Sequence, residues 1–286
     1  MSITRRFGVL GRSLAHSQSP ALFADRFSAW GINDASYERY ERANLEGFGE
    51  WLQTEAEASP ALVGLNVTIP YKQSIIPLLQ DLTPTARAIG AVNAIKPGAN
   101  GWVGHNTDAE GFMKSLRPFL TSAHDRALIL GNGGAAAAVR FGLQSLGIDV
   151  VHVTRSPIEW EAMRYDTLNA AYLRHCKLVV QCTPVGTYPN TEACINLPWD
   201  GLTPEHLAVD LARRAVAGAA QRVPARRGAA VERERIERQH GGADQRLGEE
   251  ERAVQPEAHR RGAAARAAST RRATTRTPRR AATPTR

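Results

Sequence analysis

Residues 126–138 read RALILGNGGAAAA, and this stretch decides the fold class. The apolar segment predicts a buried strand, the glycines after it predict a tight turn, and the alanines begin a helix. A glycine turn between a strand and a helix lets backbone N–H groups and the helix N-terminus approach a pyrophosphate. The alternative is a turn whose glycines meet steric needs alone. Because another predicted strand follows the helix, we favour a dinucleotide site and assign it to these residues: Gly131, Asn132, Gly133, Gly134 and Ala135.

Short apolar runs alternate with helix-like stretches on both sides of this segment. Predicted strands occupy 6–11, 35–40, 64–70, 126–131, 149–154, 177–183 and 206–211, and helices are predicted at 20–30 and from 134 to about 146. Between the two series, Thr107 and Glu110 have the spacing of a capping box, which predicts a helix start. The pattern predicts an α/β fold of two domains: a mainly parallel αβα substrate domain over 1–105 and a Rossmann-like cofactor domain over 106–212.

The charge of the chain is divided unequally between its two parts. The 286 residues carry a net charge of +8, but 19 Arg and 8 acidic residues from Leu211 onward give that segment 19 − 8 = +11. The first 210 residues therefore sum to 8 − 11 = −3, and they contain all 18 aromatic residues. We predict that 213–286 is disordered or only loosely helical, because it has too little apolar surface to offset ordering. Its arginines leave open a non-catalytic protein that binds nucleic acid, but without aromatic residues we expect no specific nucleic-acid partner.

Cysteine content is typical of a reducing compartment, and the hydropathy pattern predicts no membrane-spanning segment. The three cysteines form no CxxC pair and their odd number excludes a fully paired disulfide framework. The N-terminus has no apolar signal core, and no run of about 18 apolar residues occurs. We predict a cytoplasmic protein with no membrane partner and no metal.

Several polar residues follow predicted strands, where α/β proteins bind ligands. Residues 65–72 read LNVTIPYK, so Asn66 and Thr68 share one strand face and Lys72 follows the strand end. An amide, a hydroxyl and an ammonium suit a small polyhydroxylated substrate, and Asn93 and Asp108 add an amide and a carboxylate. The alternative for Asp108 is an ordinary helix cap.

Two further positions have an equally plain alternative. Ser19 before Pro20 fits a helix N-cap, and Ser17 has the same ambiguity. Arg155 at the end of a predicted strand favours the 2′-phosphate of NADP, whereas an NAD enzyme usually has a carboxylate there. The alternative for Arg155 is a solvated side chain.

Together these residues resemble the shikimate dehydrogenase family. The resemblance rests on segments 16–20 (HSQSP), 66–72 (NVTIPYK), 90–93 (GAVN), 106–108 (NTD), 131–135 (GNGGA), 154–156 (TRS) and 182–186 (CTPVG), and it covers roughly residues 5 to 212. It implies reversible NADPH-dependent reduction of 3-dehydroshikimate to shikimate, a step of chorismate and aromatic amino-acid biosynthesis. A quinate/shikimate dehydrogenase that uses NAD is the close alternative.

The resemblance also implies a role for each site residue. Lys72 and Asp108 would be the catalytic pair. Substrate would be held by Ser17, Ser19, Asn66, Thr68 and Asn93. NADP would be held by the 131–135 loop together with Thr154, Arg155, Ser156, Thr183 and Val185. A homodimer is possible.

The resemblance ends after residue 212. The family continues with a Tyr-Asn-Pro turn and a Gly-x-x-Met-Leu-x-x-Gln element that contacts substrate and nicotinamide, whereas this chain continues with Arg213 and Arg214. A reading-frame shift near codon 213 would produce such a change, and resequencing the gene tests this hypothesis. We expect the chain to bind NADP(H) weakly and to turn over shikimate poorly.

Overall fold

The fold consists of two β-sheets and the helices that cover them. A computed structural model describes residues 2–155, 162–187 and 190–211, so Ser156 and the predicted basic tail at 213–286 lie outside the described residues. Among the described residues, no helix combines the length and the hydropathy needed to cross a membrane. The prediction of an α/β fold with two mainly parallel sheets is confirmed.

The first sheet lies within residues 5–105 and has six strands. Its strands are β1 (Arg5–Gly11), β2 (Ala35–Glu41), β3 (Ala61–Val67), β4 (Asp81–Leu82), β5 (Ala94–Gly98) and β6 (Gly101–His105). Their order is β2-β1-β3-β5-β6-β4, with β5 antiparallel to both of its neighbours. The helices are α1 (Ser19–Ala29), α2 (Phe48–Glu57), α3 (Tyr71–Ser74) and α4 (Pro84–Ile89). A buried cluster that includes Leu10, Phe48, Leu65 and Trp102 packs α2 and α3 on this sheet.

The second sheet is entirely parallel. Its strands are β7 (Arg126–Leu130), β8 (Asp149–Thr154), β9 (Ala162–Arg164), β10 (Leu178–Gln181) and β11 (Leu207–Asp210), in the order β11-β10-β7-β8-β9. The helices are α5 (Asp108–Leu116), α6 (Gly134–Ser145) and α7 (Ala170–His175). The central strands are nearly continuous in apolar residues because both faces are covered, and Leu128, Ile129 and Val180 are fully buried. The predicted domain boundary at 105/106 stays a prediction.

Two local expectations were wrong. The strand predicted at 64–70 ends at Val67, and Ile69 is 64% exposed, because the chain turns there: the Tyr71 N–H donates to the Thr68 carbonyl at 2.9 Å. Pro70, inside this turn, has no N–H to donate to a ladder. The predicted capping box is absent: Thr107 makes no side-chain cap to α5. The Asn106 amide oxygen accepts from the N–H groups of Asp108 and Ala109 instead, at 3.0 and 3.3 Å.

Candidate active site

Lys72, Asn93 and Asp108 form a hydrogen-bonded cluster. Lys72 Nζ donates to Asp108 Oδ2 at 2.6 Å, and Asn93 Nδ2 donates to Asp108 Oδ1 at 2.9 Å. The Lys72 and Asp108 side chains are 17% and 32% exposed, so water reaches the pair only in part. An ammonium held by a partly shielded carboxylate can donate a proton to a ligand oxygen or stabilise negative charge on it.

The three side chains of this cluster come from three separate parts of the fold. Lys72 lies in α3, directly after β3 and Pro70; Asn93 precedes β5; and Asp108 is the first residue of α5. Asn93 is buried, its Oδ1 accepts from the N–H of Thr107 and its Nδ2 also donates to Thr107 Oγ1, both at 2.9 Å. Asn93 therefore fixes the turn that brings Asp108 to Lys72.

Asn66 and Thr68 lie beside this cluster at the carboxyl end of β3. Val67, between them, donates its N–H to the Asn93 carbonyl at 2.7 Å. Tyr37 donates its hydroxyl to Asn66 Oδ1 at 2.7 Å, and its ring stacks on Phe23 at 4.2 Å between ring centroids. This hydrogen bond fixes the orientation of the Asn66 amide, so its N–H groups can donate to a ligand.

Ser17 and Ser19 lie in the segment that leaves the carboxyl end of the neighbouring strand β1. The Ser19 N–H donates to Ser17 Oγ at 3.4 Å, and Arg39 donates to the Ser17 carbonyl at 2.9 Å. The helix that follows begins at Ser19 with Gln18 as its N-cap, and no side chain caps it. The structure therefore does not support the alternative of a Ser19 cap, since Ser19 is the first residue of the helix and Gln18 is its N-cap. Its predicted role in substrate binding stays a prediction.

The glycine loop joins β7 to α6, as predicted. Gly131 has φ +115°, a conformation that favours glycine, and its missing side chain would approach the Thr183 methyl at 3.0 Å. A Cβ at Gly133 would meet nothing within 4 Å beyond its chain neighbours, and Asn132 and Gly133 are exposed. Gly134 and Ala135 follow in the first turn of α6, where backbone N–H groups have no partner within the helix, so the loop and this turn meet the requirements of an anion site.

Thr183 and Val185 belong to a loop that Gln181 holds against this glycine turn. The Thr183 hydroxyl and N–H donate to Gln181 Oε1 at 3.0 and 3.1 Å, and the Val185 N–H donates to Thr183 Oγ1 at 3.2 Å. The loop follows β10, the neighbour of β7, so both loops leave the same edge of the sheet.

Thr154 and Arg155 lie where β8 ends, on the other side of the glycine loop. Gly131 donates its N–H to the Val153 carbonyl at 2.8 Å, which places the strand end beside the loop. Thr154 is buried and Arg155 is exposed. Burial raises the pKa of Tyr165, and the nearby positive charge of Arg155 opposes this shift in part.

His152 and Cys182, near the glycine loop, and Cys176, at the opposite end of the second sheet, have shifted pKa values. Burial lowers the pKa of His152, the positive charge of Arg140 lowers it further, and the backbone of Gly131 opposes the shift. Burial raises the pKa of Cys176 to about 11 and also raises the pKa of Cys182. Both thiols therefore stay protonated at neutral pH, and neither is suited to act as a thiolate nucleophile. All three cysteines are free. Over 2–155, 162–187 and 190–211, no group of three or more His, Cys, Asp or Glu residues could hold a metal ion.

The structure brings the predicted residues into two groups. Lys72, Asn93 and Asp108 form one group, and Asn66 and Thr68 lie next to it. The second group lies at the carboxyl ends of the strands of the second sheet and consists of the 131–135 loop, Thr154, Arg155, Thr183 and Val185.

The sequence reasoning missed Tyr37, Asn106 and Gln181, each of which holds a site residue in place. Asn106 had a usable signal, since asparagine two residues before a helical segment is a common cap. Tyr37 and Gln181 had none, because their partners are set by tertiary contacts.

Comparison with known proteins gives one consistent result. Residues 9–95 match the family model described as the shikimate dehydrogenase substrate binding domain. A shikimate dehydrogenase (NADP(+)) from Nostoc sp. is 37% identical over 209 residues, which cover 66% of this chain and 70% of the relative.

Solved structures agree with this match. The structure of shikimate 5-dehydrogenase from Thermus thermophilus in complex with NADP(H) and shikimate has a TM-score of 0.63 and 33% identity, and the match covers 74% of this chain and 80% of that one. Shikimate dehydrogenase from Aquifex aeolicus has a TM-score of 0.62 and 30% identity, with coverage of 72% and 78%.

Proposed function

The chain belongs to the shikimate dehydrogenase family, and we propose that it catalyses the reversible NADP-dependent reduction of 3-dehydroshikimate to shikimate. The family consists of oxidoreductases that act on a CH–OH group. The observation that carries the proposal is the Lys72 to Asp108 hydrogen bond of 2.6 Å, with Asn93 fixing the second carboxylate oxygen. The relative from Nostoc sp. is an NADP(+) enzyme, and the Thermus thermophilus structure contains NADP(H) and shikimate.

The loops at the carboxyl ends of the strands of the second sheet have the features of an NADP site. Protein packing does not require glycine at Gly133, since a side chain there would meet nothing within 4 Å, so its absence leaves room for a pyrophosphate to approach the backbone. The exposed Arg155 at the end of β8 would pair with the 2′-phosphate, and Thr183 and Val185 would lie beside the nicotinamide half. When bound, NADPH supplies the hydride.

The protein's own residues would manage the proton. In reduction, the keto carbon gains the hydride while its oxygen gains a proton, so a donor must lie at that oxygen. Lys72 would donate this proton or stabilise the alkoxide, and Asp108 would hold the ammonium in place. In the reverse direction the same pair would accept the proton from the hydroxyl. Asn93 would keep the carboxylate oriented in both directions.

The substrate hydroxyls and carboxylate would be held by the first sheet. Asn66, with its oxygen taken by Tyr37, would donate its amide N–H groups, and Thr68 would offer a hydroxyl next to Lys72. Ser17 and Ser19 would contribute from the segment after β1. The match of residues 9–95 to a substrate binding domain supports assigning substrate to 1–105 and cofactor to 106–212.

The test is shikimate-dependent reduction of NADP(+), followed by absorbance. It uses this chain and a second chain in which 213–286 is replaced by the family's C-terminal segment. Turnover in either chain supports the proposal, and low turnover in this chain alone would locate the loss in the tail. No turnover and no shikimate binding in either chain would contradict the proposal.

Lys72→Ala provides the matched variant for the same assay. We expect a kcat about 10²- to 10⁴-fold lower, the range for losing a proton donor or an alkoxide-stabilising group. NADPH affinity, titrated separately, should change little because the ammonium bonds to Asp108 rather than to the glycine loop. A Lys72→Ala chain that keeps nearly full kcat would show that another group supplies the proton.

A further inference from the structure

We propose that Gly134 is a positioning residue for Lys72. The missing side chain at the first residue of α6 lets this helix lie directly against the lysine stem, which keeps the ammonium on Asp108. The catalytic consequence rests on the proposed function, whereas the contact itself does not.

The contact leaves no room for a methyl group. A Cβ at Gly134 would lie 2.7 Å from Lys72 Cβ, 3.3 Å from Lys72 Cδ and 3.4 Å from Ala91 Cβ. The first distance is shorter than real Cβ contacts. Lys72 Cβ is fixed by the backbone of α3, so it cannot swing aside as the end of a long side chain can.

Lys72 is also held from its other side. Its backbone carbonyl accepts from the Val92 N–H at 2.6 Å, and Ala91, next to Val92, is fully buried. A retreat of Lys72 from α6 would therefore have to move the segment that leads to Asn93. Since Asn93 orients Asp108, the displacement would reach both partners of the pair.

The same face of α6 packs against the helix that starts at Asp108. Gly134, Ala138 and Gly142 are spaced four residues apart and so share one face. Ala138 is buried in a cluster with Ala109, and a Cβ at Gly142 would lie 3.1 Å from Met113 Cγ. Because Ala109 and Met113 belong to α5, one helix face sets the positions of both Lys72 and α5.

The backbone conformation does not require glycine at this position. Gly131 needs its positive φ of +115°, whereas Gly134 begins a regular helix and is not among the glycines with positive φ. Gly134 also lies in the loop assigned to the pyrophosphate, and the contact with Lys72 is a second, separate constraint on this position.

The test is a double-mutant cycle on unfolding of the full chain in urea. Gly134→Ala should lower the unfolding midpoint, and Lys72→Gly, which removes the clashing Cβ, should abolish most of that loss when the two are combined. Gly49→Ala is the matched control, because it places the same methyl in the first turn of α2 with nothing within 4 Å. If Gly134→Ala lowers the midpoint equally in the Lys72→Gly background and in the unsubstituted chain, the two positions are not coupled and the proposal is overturned.

Measurements of kcat and of NADPH affinity distinguish a displaced Lys72 from a general loss of stability. Misplacing a reacting group by about 1 Å costs about 10²-fold, so Gly134→Ala should lower kcat, measured at saturating NADPH, by that order. Because Gly134 also belongs to the loop assigned to NADP, NADPH affinity is titrated in parallel to separate a loss of binding from a loss of turnover. A loss confined to NADPH affinity would overturn the proposal. If the unsubstituted chain neither turns over nor binds shikimate, the proposed function fails, and the urea cycle still decides whether Gly134 positions Lys72.

Discussion

The guanidinium of Arg155 is placed to distinguish two cofactors that differ by one phosphate. Its side chain is exposed at the end of β8, beside the glycine loop. Arg155→Ala should weaken NADP(H) binding by about 1.5 to 3 kcal/mol, the range for charged hydrogen bonds, and leave NAD(H) binding nearly unchanged. Titration of both cofactors by fluorescence measures the two affinities.

A control for this substitution lies on the neighbouring strand. Arg164→Ala removes an exposed arginine of β9 that bonds to Asp166, and it should affect neither cofactor. Equal losses for NADP(H) and NAD(H) in Arg155→Ala would mean that Arg155 supports the strand end rather than reading the 2′-phosphate. That result would favour the NAD-dependent alternative.

His152 makes stability depend on pH. Its Nε2 has no hydrogen-bond partner in the described part of the chain, and burial together with Arg140 lowers its pKa. The unfolded chain therefore takes up a proton below about pH 6.5 that the folded chain resists. Stability from this residue is complete above about pH 6.5 and is lost as pH falls below that value toward the lowered folded pKa.

Urea unfolding of the full chain across this pH range checks the sign. His152→Gln should flatten the loss of stability below about pH 6.5, since glutamine does not titrate there. His175→Gln, at the exposed end of α7, is the control and should leave the slope unchanged. A slope that survives in His152→Gln would assign the pH dependence to other groups.

At the scale of elements, the start of α5 connects helix stability to the site. Asn106 is buried; its Oδ1 accepts from two N–H groups of the first turn, and its Nδ2 donates to the Ala91 carbonyl at 2.9 Å. Asn106→Ala removes the cap and leaves a buried carbonyl unpaired, so we expect about 1 to 3 kcal/mol of destabilisation. Because Asp108 begins this helix, shikimate affinity should fall as well.

Asn169 offers the same cap away from the site. Its Oδ1 accepts from Ala171 and Tyr172 N–H groups at 2.9 and 3.3 Å, at the start of α7. Asn169→Ala should lower stability by about 1 kcal/mol without changing shikimate affinity, which calorimetry measures. Equal effects of the two substitutions on shikimate affinity would show that the α5 cap has no special connection to Asp108.

The elements also show how much of the fold and of the candidate site could be predicted from the sequence. Strands such as β7 and β8 were predicted to within a residue, because their apolar runs end at glycine or polar residues. The hairpin of β5 and β6 was missed, since its residues Ala94–Gly98 and Gly101–His105 lack a long apolar run. The residues of the glycine loop and of the Lys72, Asn93 and Asp108 cluster were predicted from motifs at strand ends. The contact between Gly134 and Lys72 was not, because it joins residues that follow separate sheets and is set by helix packing.

At the scale of the whole molecule, net charge is divided unequally along the chain. Both sheets and both groups of site residues lie before residue 211, in a part whose net charge is −3. The segment from residue 211 onward carries +11, so we expect nonspecific attraction to nucleic acid to come from it, whereas the proposed NADP site depends on specific contacts. This separation makes the nucleic-acid alternative testable without reference to turnover.

We predict that the full chain binds duplex DNA without sequence preference, whereas residues 1–211 do not bind it under the same conditions. Arginines that pair with phosphates release counterions, so the logarithm of the affinity should fall linearly with the logarithm of salt, by about 0.9 for each phosphate neutralised. Fluorescence anisotropy with two unrelated duplexes across a salt series measures both properties. Binding that persists in residues 1–211 would mean that these residues bind nucleic acid themselves and would favour the non-catalytic alternative. Loss of binding on truncation, with equal affinities of the full chain for the two duplexes, would assign the binding to the charge of residues 212–286.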